Sequence, residues 1–473
     1  MGNGKCSWPR FNQRLSGTNT LRRTPHLQIT SRPQTISHGR LLQILGVGFG
    51  LAVTIGNTIG AGILRTPGTI AEQLPNTWWY LGAWAVGGLY ALLGAVSLAE
   101  LGAMLPKSGG QYVFVRHALG EYAGFVAGWS DWISTCGSIA AVSLVIGGFA
   151  EALFTELSGQ AALIAIAVAL LFASLQWRGM VWGSSAQNLT SLLKAIAFLI
   201  LIGAAFVVAA PRAEETTQAL PVGSSLLLAV VISLQGIIYT YDGWTGVIYF
   251  SEEVKNPGRD IPRAMIGGVL SVILIYLLVN LAIMNVLRFS DFAGTDFAAG
   301  ALAQAIFGVH GDTIFRVLTI VSMLSAVNAC QLMATRVLFA MSRDGLFSAK
   351  TAEVNKGGTP DKALIVSLAV ALVFILFGQT FEKVITILAF FFVGTYVLSL
   401  LSVFVLRVRE PSRERPYRAW GYPWTTGLAL AASVGFLLLA IWSDTKNSVY
   451  ALILLAASYP VFRLTKVLTQ FRL

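Results

Sequence analysis

The chain has little charge and few of the residue types that build enzyme active sites. Only 12% of its 473 residues are charged, about half the fraction in an average soluble domain. It has three cysteines and four histidines, and their spacing fits neither a metal site nor a disulfide framework. The sequence also has neither a phosphate-binding glycine-rich loop with its Lys nor a nucleophile elbow. These absences argue against a soluble enzyme, a metal protein and any bound cofactor.

Long apolar runs, in contrast, fill the chain. Apolar residues make up 55% of the sequence, and the mean hydropathy is +0.70. About twelve runs have the length of roughly 17–25 residues that crosses a bilayer as a helix. They centre on 42–66, 78–101, 122–150, 161–177, 187–210, 225–250, 264–287, 313–340, 363–378, 384–406, 424–442 and 447–465. The sequence therefore predicts an all-α polytopic membrane protein, with about twelve transmembrane helices in one domain over residues 41–467.

The net charge of +11 reports topology and not a nucleic-acid site. Most of the basic residues fall in alternate loops, and the opposite loops hold only Arg212, Arg288, Lys383 and Lys446. Basic loops face the cytoplasm in membrane proteins. We therefore expect a multi-pass protein of the plasma (inner) membrane with both termini in the cytoplasm.

The first 40 residues have a composition of their own. They contain seven Lys or Arg and no acidic residue. This composition predicts a basic, disordered cytoplasmic tail over residues 1–40. An organelle targeting segment and a start codon placed too far upstream are the alternatives.

Polar residues interrupt the first and the sixth apolar run, which lie five spans apart. Span 1 contains TIGNTIGAGILRTPG at residues 54–68, and span 6 contains SLQGIIYTYDGWTGVIYF at residues 233–250. Polar groups inside a membrane mark binding sites or pathways, and interrupted spans at matching positions of two halves indicate an inverted-repeat transporter. Gly56 and Gly60 also spell a GxxxG helix-packing motif, so a packing role for these glycines stays open.

The two interruptions together predict a site for a zwitterion. Gly60 and Gly62 allow span 1 to open, and the second half-helix then presents free N–H groups and its positive end to a carboxylate. A break in span 6 frees backbone carbonyls of Tyr239, Thr240 and Tyr241 as acceptors for an ammonium group. The predicted ligand is a small molecule with a carboxylate and an amine, which is an amino acid.

Five segments resemble motifs of the amino acid–polyamine–organocation superfamily of permeases. The segments are IGNTIGAGILRTPG, AELGAMLPKSGGQYVFVRHALG, YDGWTGVIYFSEEVKNPGRDIPRAMIGG, NACQLMATRVLFAMSRDGLF and RERPYRAWGYPW. The resemblance covers residues 42–465 and points toward the bacterial serine/threonine exchangers and the light-chain-type neutral amino acid exchangers.

The resemblance implies a LeuT-like fold and a transport function. The expected fold has five-plus-five inverted repeats at about 42–210 and 225–406, with helices 1 and 6 broken at mid-membrane and extra helices over 424–465. The expected function is sodium-independent transport of amino acids by alternating access, as an exchange of small or medium neutral ones. Some eukaryotic relatives have an accessory subunit, but no feature of this sequence requires one.

The resemblance also implies which residues act. Those expected to bind substrate are Thr58, Gly60, Ala61, Gly62, Tyr239, Thr240, Asp242 and Gly243. Those expected to have coupling or structural roles are Lys194, Asn57, Ser325 and Asn328. The backbone from Gly60 to Gly62 would meet the carboxylate, and Tyr239 would cover the substrate as a gate. Lys194 would occupy the place that a sodium ion holds between spans 1 and 8 in other members.

Several acidic residues have more than one interpretation. Asp242 stands where some relatives have Gly, and it would pair with the amine, carry a proton or cap the broken helix. Asp131 is expected to be a structural hydrogen-bond partner rather than a proton relay. Glu252, Glu253 and Asp260 are expected to form, with nearby basic residues, a hinge or an ion-pair network at the inner gate. Glu100 is expected to have a structural role.

Two further functions remain open from the sequence. The first is a proton-coupled permease for cationic amino acids or polyamines, with Asp242 as the counter-charge. The second, from another class, is a membrane-embedded enzyme or a substrate sensor. An enzyme would need an acid–base or metal cluster near one interface, whereas the polar groups here lie at mid-span.

Overall fold

The structure is a computed structural model that describes residues 41–60, 62–207, 220, 225–295, 297–377, 381–443 and 445–470. The predicted tail over residues 1–40 lies outside the described residues, and so does Ala61, one of the predicted substrate-binding residues. Nearly all of the described chain is helical, and a single isolated parallel bridge pairs Leu45 with Val254 within it.

Helices α1 to α7 form the first part of the described chain. They are α1 Val47–Thr58, α2 Gly62–Gln73, α3 Thr77–Met104, α4 Gln111–Leu119, α5 Glu121–Leu153, α6 Ala161–Trp177 and α7 Met180–Val207. The side chain of Asn76 caps α3 by accepting hydrogen bonds from the backbone N–H groups of Trp78 and Trp79. An Asn side chain at this position satisfies donors that the first helical turn leaves without partners.

The remaining helices are α8 to α17. They are α8 Leu226–Thr240, α9 Pro257–Val286, α10 Phe289–Phe292, α11 Ala298–Phe307, α12 Gly311–Arg343, α13 Asp361–Phe377, α14 Phe381–Arg409, α15 Trp424–Ser443, α16 Thr445–Ala456 and α17 Ser458–Gln470. A 3-10 helix, Gly246–Phe250, follows α8 after a turn at 241–245.

The prediction of an all-α polytopic membrane protein is confirmed. Eight helical segments of the described chain are long and apolar enough to cross a membrane, and α1 and α2 together make a ninth as one bent span. Two shorter apolar helices, α6 and α8, coincide with further predicted spans. The predicted number of about twelve is not fully confirmed, because these spans are short or interrupted.

The first predicted interruption lies between α1 and α2. The axes of the two helices differ by 43°, and Ile59, which ends α1, has a ψ of 89° that does not continue a helix. The second interruption follows α8, where Gly243 has a φ of +105°. An L-residue rarely adopts this left-handed conformation, so a helix cannot continue through Gly243.

Helix α7 has one buried polar face and one exposed apolar face. Its buried face carries the polar residues Gln187, Ser191 and Lys194, whereas Leu192 and Leu199 on the opposite face are exposed. Leucines outside and polar groups inside are the arrangement expected for a helix in a membrane. The polar face of α7 packs against α1 and α12, and it lies next to the first interruption.

Candidate functional site

The interruptions in spans 1 and 6 lie directly against each other. A Cβ added to Gly243 would lie 2.6 Å from Asn57 Nδ2 and 3.0 Å from the backbone nitrogen of Thr58. Asn57 Nδ2 donates to the Gly243 carbonyl at 3.3 Å. Gly243 therefore brings the turn after α8 into contact with the last turn of α1, which a larger residue would prevent.

A cavity of about 60 Å³ lies at these interruptions. Its lining includes six of the predicted substrate-binding residues, which are Thr58, Gly60, Gly62, Tyr239, Thr240 and Asp242. Asn57 lines it too, together with Ser138, Val142, Ala326, Cys330 and Phe392. The structure thus brings the predicted binding residues of spans 1 and 6 together, and it adds residues of spans 3, 8 and 10.

Gly60, which precedes α2, and Gly62, which begins it, have different surroundings. A Cβ on Gly60 would meet nothing within 4 Å, so this residue faces open space at the cavity. A Cβ on Gly62 would lie 2.9 Å from the side chain of Thr240, so this residue permits close packing of α2 on α8. The first N–H groups of a helix have no partners within it, and α2 begins at this cavity.

Gly56, the first glycine of the GxxxG motif, has a packing role. A Cβ at this position would lie 2.2 Å from Gln187 Nε2 and 2.5 Å from Ser191 Oγ on α7. The helix-packing interpretation of the motif therefore applies to Gly56, and Gly60 faces the cavity instead.

The carbonyls at the ends of α1 and α8 share one hydrogen-bond donor. The hydroxyl of Tyr276 on α9 lies 2.8 Å from the Thr58 carbonyl oxygen and 2.9 Å from that of Thr240. Since a phenol has one proton, it can satisfy only one of these acceptors fully at a time. Sequence reasoning missed Tyr276, although a tyrosine within an apolar span is itself a signal of a polar partner.

Lys194 extends from α7 to the break in span 1. Its ammonium group donates to the carbonyl oxygen of Gly56 at 2.7 Å and also to that of Ile59. The side chain is fully buried. The contact predicted for Lys194, with carbonyls freed by the break, is thus present in the structure.

Ser325 and Asn328 on α12 support the same region through α7. Ser325 Oγ lies 3.0 Å from Ser191 Oγ, which donates to the carbonyl of Ala52 on α1 at 2.8 Å. Asn328 Nδ2 donates to Gln187 Oε1 at 3.0 Å. The partners Gln187 and Ser191 were missed, although their spacing with Lys194 (i, i+4, i+7) places all three on one helix face.

A second cavity, of about 30 Å³, adjoins the first. The lining of both cavities includes Asn57, Ser138, Asp242, Cys330 and Phe392. The Asp242 carboxylate accepts a hydrogen bond from the Tyr396 hydroxyl on α14. Asp131 Oδ1 on α5 accepts one from the Tyr249 hydroxyl at 2.7 Å, as a hydrogen-bonding role for Asp131 predicts.

Two acidic residues that follow span 6 in the sequence form ion pairs with α12. Arg336 on α12 makes a double hydrogen bond to Glu253, at 3.0 and 3.1 Å, and both side chains are fully buried. Burial raises the pKa of the Glu253 carboxyl, and the Arg336 guanidinium offsets part of that rise. Arg343 pairs with Glu252 at 2.7 Å. The predicted pairing of these acids with basic residues is present.

Glu100 fixes the loop between α14 and α15. Its carboxylate accepts hydrogen bonds from Arg407 and Arg415, at 2.7 and 3.1 Å, and from the backbone N–H of Ala419 at 2.7 Å. These contacts place Glu100 in the structural role predicted for it. Among the residues that the structure describes, no group of three His, Cys, Asp or Glu is placed to hold a metal ion.

A helical membrane bundle with facing interruptions around a small polar cavity is typical of secondary transporters. The sequence comparison identifies the family. The amino acid permease family model matches residues 50–459, and the chain belongs to this family. It is therefore an integral membrane amino acid transporter and not an enzyme, as the sequence predicts.

The chain is similar to several characterised transporters over most of its length. It is 30% identical to the serine/threonine exchanger SteT of Bacillus subtilis over 429 residues, covering 88% of this chain and 95% of that protein. It is 25% identical to the mouse b(0,+)-type amino acid transporter 1, covering 84% and 83% of the two chains. It is also 25% identical to the mouse large neutral amino acids transporter small subunit 2, covering 85% and 77%. These relatives do not favour the proton-coupled alternative.

Proposed function

We propose that this chain exchanges small neutral amino acids across the plasma membrane, without sodium, by alternating access. The observation that carries the proposal is the cavity between the two interruptions, with the Lys194 ammonium on the carbonyls of Gly56 and Ile59. The names of the relatives, a serine/threonine exchanger among them, support exchange of such substrates.

The cavity offers one end to each charge of an amino acid. The N-terminus of α2 provides backbone N–H groups and the positive end of a 12-residue helix for the carboxylate. The carbonyls of Thr58 and Thr240 share the Tyr276 hydroxyl, so one lone pair on each remains for the ammonium group. The Asp242 carboxylate adds negative charge at this second end.

Lys194 makes a bound sodium ion unnecessary in this proposal. A cation at the break compensates the partial negative charge of carbonyls that no longer bond within the helix. The ammonium of Lys194 makes these contacts permanently, because the side chain is covalently part of α7. Transport then has no ion to bind and release, and in the proposed exchange a second amino acid accompanies the return step.

The size of the cavity favours small substrates. A water-sized group needs about 10–15 Å³ of such a cavity, so about 60 Å³ holds roughly four to six groups. Glycine and alanine, with five and six non-hydrogen atoms in their zwitterionic forms, fall within this range, and serine, with seven, lies just above it. Larger substrates require movement of Tyr239 or Phe392, which both line the cavity.

The proposal includes the inverted repeats at about 42–210 and 225–406 and the extra helices over 424–465. The facing interruptions support it, because each would belong to the first helix of one repeat. Both termini would lie in the cytoplasm, and the chain would transport without an accessory subunit.

Substrate analogues test recognition of the zwitterion in proteoliposomes that contain the purified chain alone. Unlabelled serine, serine methyl ester, glycerate and putrescine are offered as competitors of labelled serine uptake. We expect competition from serine, and at least about tenfold weaker competition from the two analogues that lack one charge, since each loses a charge-assisted hydrogen bond. Equal competition by glycerate or the ester, or stronger competition by putrescine, would contradict the proposed site.

A further inference from the structure

A carboxylate among the residues that line the second cavity has one oxygen without a hydrogen-bond partner. Asp131 is 3% exposed, and its Oδ1 accepts the Tyr249 hydroxyl proton at 2.7 Å. Its Oδ2 is buried and has no hydrogen-bond partner among the described residues. A buried acceptor without a partner is costly, so a donor that reaches this carboxylate would stabilise it.

The position of Asp131 connects this oxygen with the substrate site. Asp131 lines the second cavity, which shares Ser138, Asp242 and Phe392 with the first. An amino acid held at the interruptions can therefore extend its side chain into the second cavity. No Lys, Arg or His is among the described residues that line either cavity, so no basic side chain of the lining competes for Asp131.

Resting on the proposed function, we propose that Asp131 determines specificity by accepting the side-chain hydroxyl of a transported serine or threonine at its carboxylate, which turns toward the second cavity when substrate binds. The position of a carboxylate that lacks one hydrogen bond in the lining of a small cavity beside the substrate site carries this assignment. Asp242 does not have this role in the proposal, because it lies beside the ammonium end of the bound substrate.

The volume of the second cavity selects a short side chain. About 30 Å³ holds roughly two or three water-sized groups. The side chains of serine and threonine have two and three non-hydrogen atoms. The stem and charged head of lysine or arginine do not fit this space.

A hydroxyl also matches the hydrogen-bonding requirement of a buried carboxyl group. It donates and accepts, so it pairs with the Asp131 carboxyl group whether or not that group carries a proton. An ammonium group only donates, so it forms a charge-assisted pair with the ionised carboxylate alone. A methyl group in the same place leaves the oxygen without a partner, which discriminates against analogues that lack the hydroxyl.

Matched pairs of substrates test the proposal on the unmodified chain. In counterflow, serine is compared with alanine, threonine with valine, and serine with L-2,3-diaminopropionate, its cationic analogue. We expect serine and threonine to bind at least about tenfold more tightly than alanine and valine, because one buried hydrogen bond is unmade. Equal affinities within these pairs, or tighter binding of the cationic analogue, would overturn the proposal.

A double variant tests whether the preference belongs to Asp131. The Asp131→Leu/Tyr249→Phe variant removes the carboxylate together with the phenol that would lose its acceptor. We expect it to exchange serine and alanine equally, whereas the matched control Tyr249→Phe retains the preference for serine. A double variant that keeps the preference would overturn the assignment. Exchange of both amino acids without preference in the unmodified chain would overturn it and leave the proposed function intact, whereas no exchange of any amino acid would overturn both.

Discussion

At the scale of single residues, Lys194 joins α7 to the broken end of α1. Its ammonium group reaches from α7 to the carbonyls of Gly56 and Ile59, which lie on either side of the end of α1 at Thr58. The same helix places Ser191 on Ser325 of α12. Lys194 therefore holds the open end of α1 at a fixed distance from the bundle.

Replacement of Lys194 by Ala should stop transport without unfolding the protein. The variant leaves two buried carbonyls without a donor, and each unmade hydrogen bond costs roughly 1–3 kcal/mol. We expect amino acid exchange to fall at least about tenfold, measured as counterflow of labelled serine in proteoliposomes.

The neighbouring Leu193→Ala variant is the matched control, because Leu193 is exposed on the lipid-facing side of α7. Both variants should elute as monodisperse proteins in detergent. A Lys194→Ala variant with the exchange rate of Leu193→Ala would exclude the role proposed for the ammonium group.

At the scale of helices, each interruption has its own backbone cause. Span 1 breaks at Ile59 and Gly60, before α2 begins at Gly62. Span 6 breaks at the positive φ of Gly243, which fits against the backbone of α1. The second interruption thus depends on contact with the first, and neither interruption is an isolated defect of one helix.

Gly60 offers a direct test of the interruption in span 1. A Cβ on Gly60 meets no atom within 4 Å, so Gly60→Ala should fold and retain exchange within about threefold. Gly60→Leu places a larger side chain toward the cavity of about 60 Å³, and it should abolish binding of serine. Thermal stabilisation of the purified protein by added serine measures the binding.

If Gly60→Leu bound serine as tightly as Gly60→Ala does, the proposed position of Gly60 at the binding cavity would be wrong. Such a result would return Gly60 to a purely helix-packing role. Loss of folded protein in the alanine variant would also contradict the account, because it would mean that Gly60 is closely packed.

The sequence predicted the interruptions because glycine and polar residues inside apolar spans are conspicuous. It did not predict Tyr276 or Gln187, because a single polar residue in an apolar helix has no visible partner until the helices are assembled. The pairing of Arg336 with Glu253 was equally hidden, since 83 residues separate them. The number of spans was predicted from apolar length, which fails where α8 ends at Thr240 inside a predicted span.

At the scale of the whole molecule, the segment that follows the second interruption connects the cavities with an ion pair. The two cavities share lining residues at the interruptions, and Tyr249 lines the second one. Glu253, four residues after Tyr249, forms the buried pair with Arg336 of α12. Breaking a buried ion pair is costly. A conformational change that opens the bundle beside Glu253 must therefore either move Glu253 and Arg336 together or separate them at that energetic cost.

In the proposed transport cycle, the Lys194 ammonium replaces sodium, and the return step needs a second amino acid. Labelled serine uptake into proteoliposomes of the purified chain measures both parts at once, with and without internal serine, in sodium and in choline buffer. We predict uptake at least about tenfold faster with internal serine, and equal rates in the two buffers. Uptake that needs a sodium gradient and is indifferent to internal serine would contradict the account.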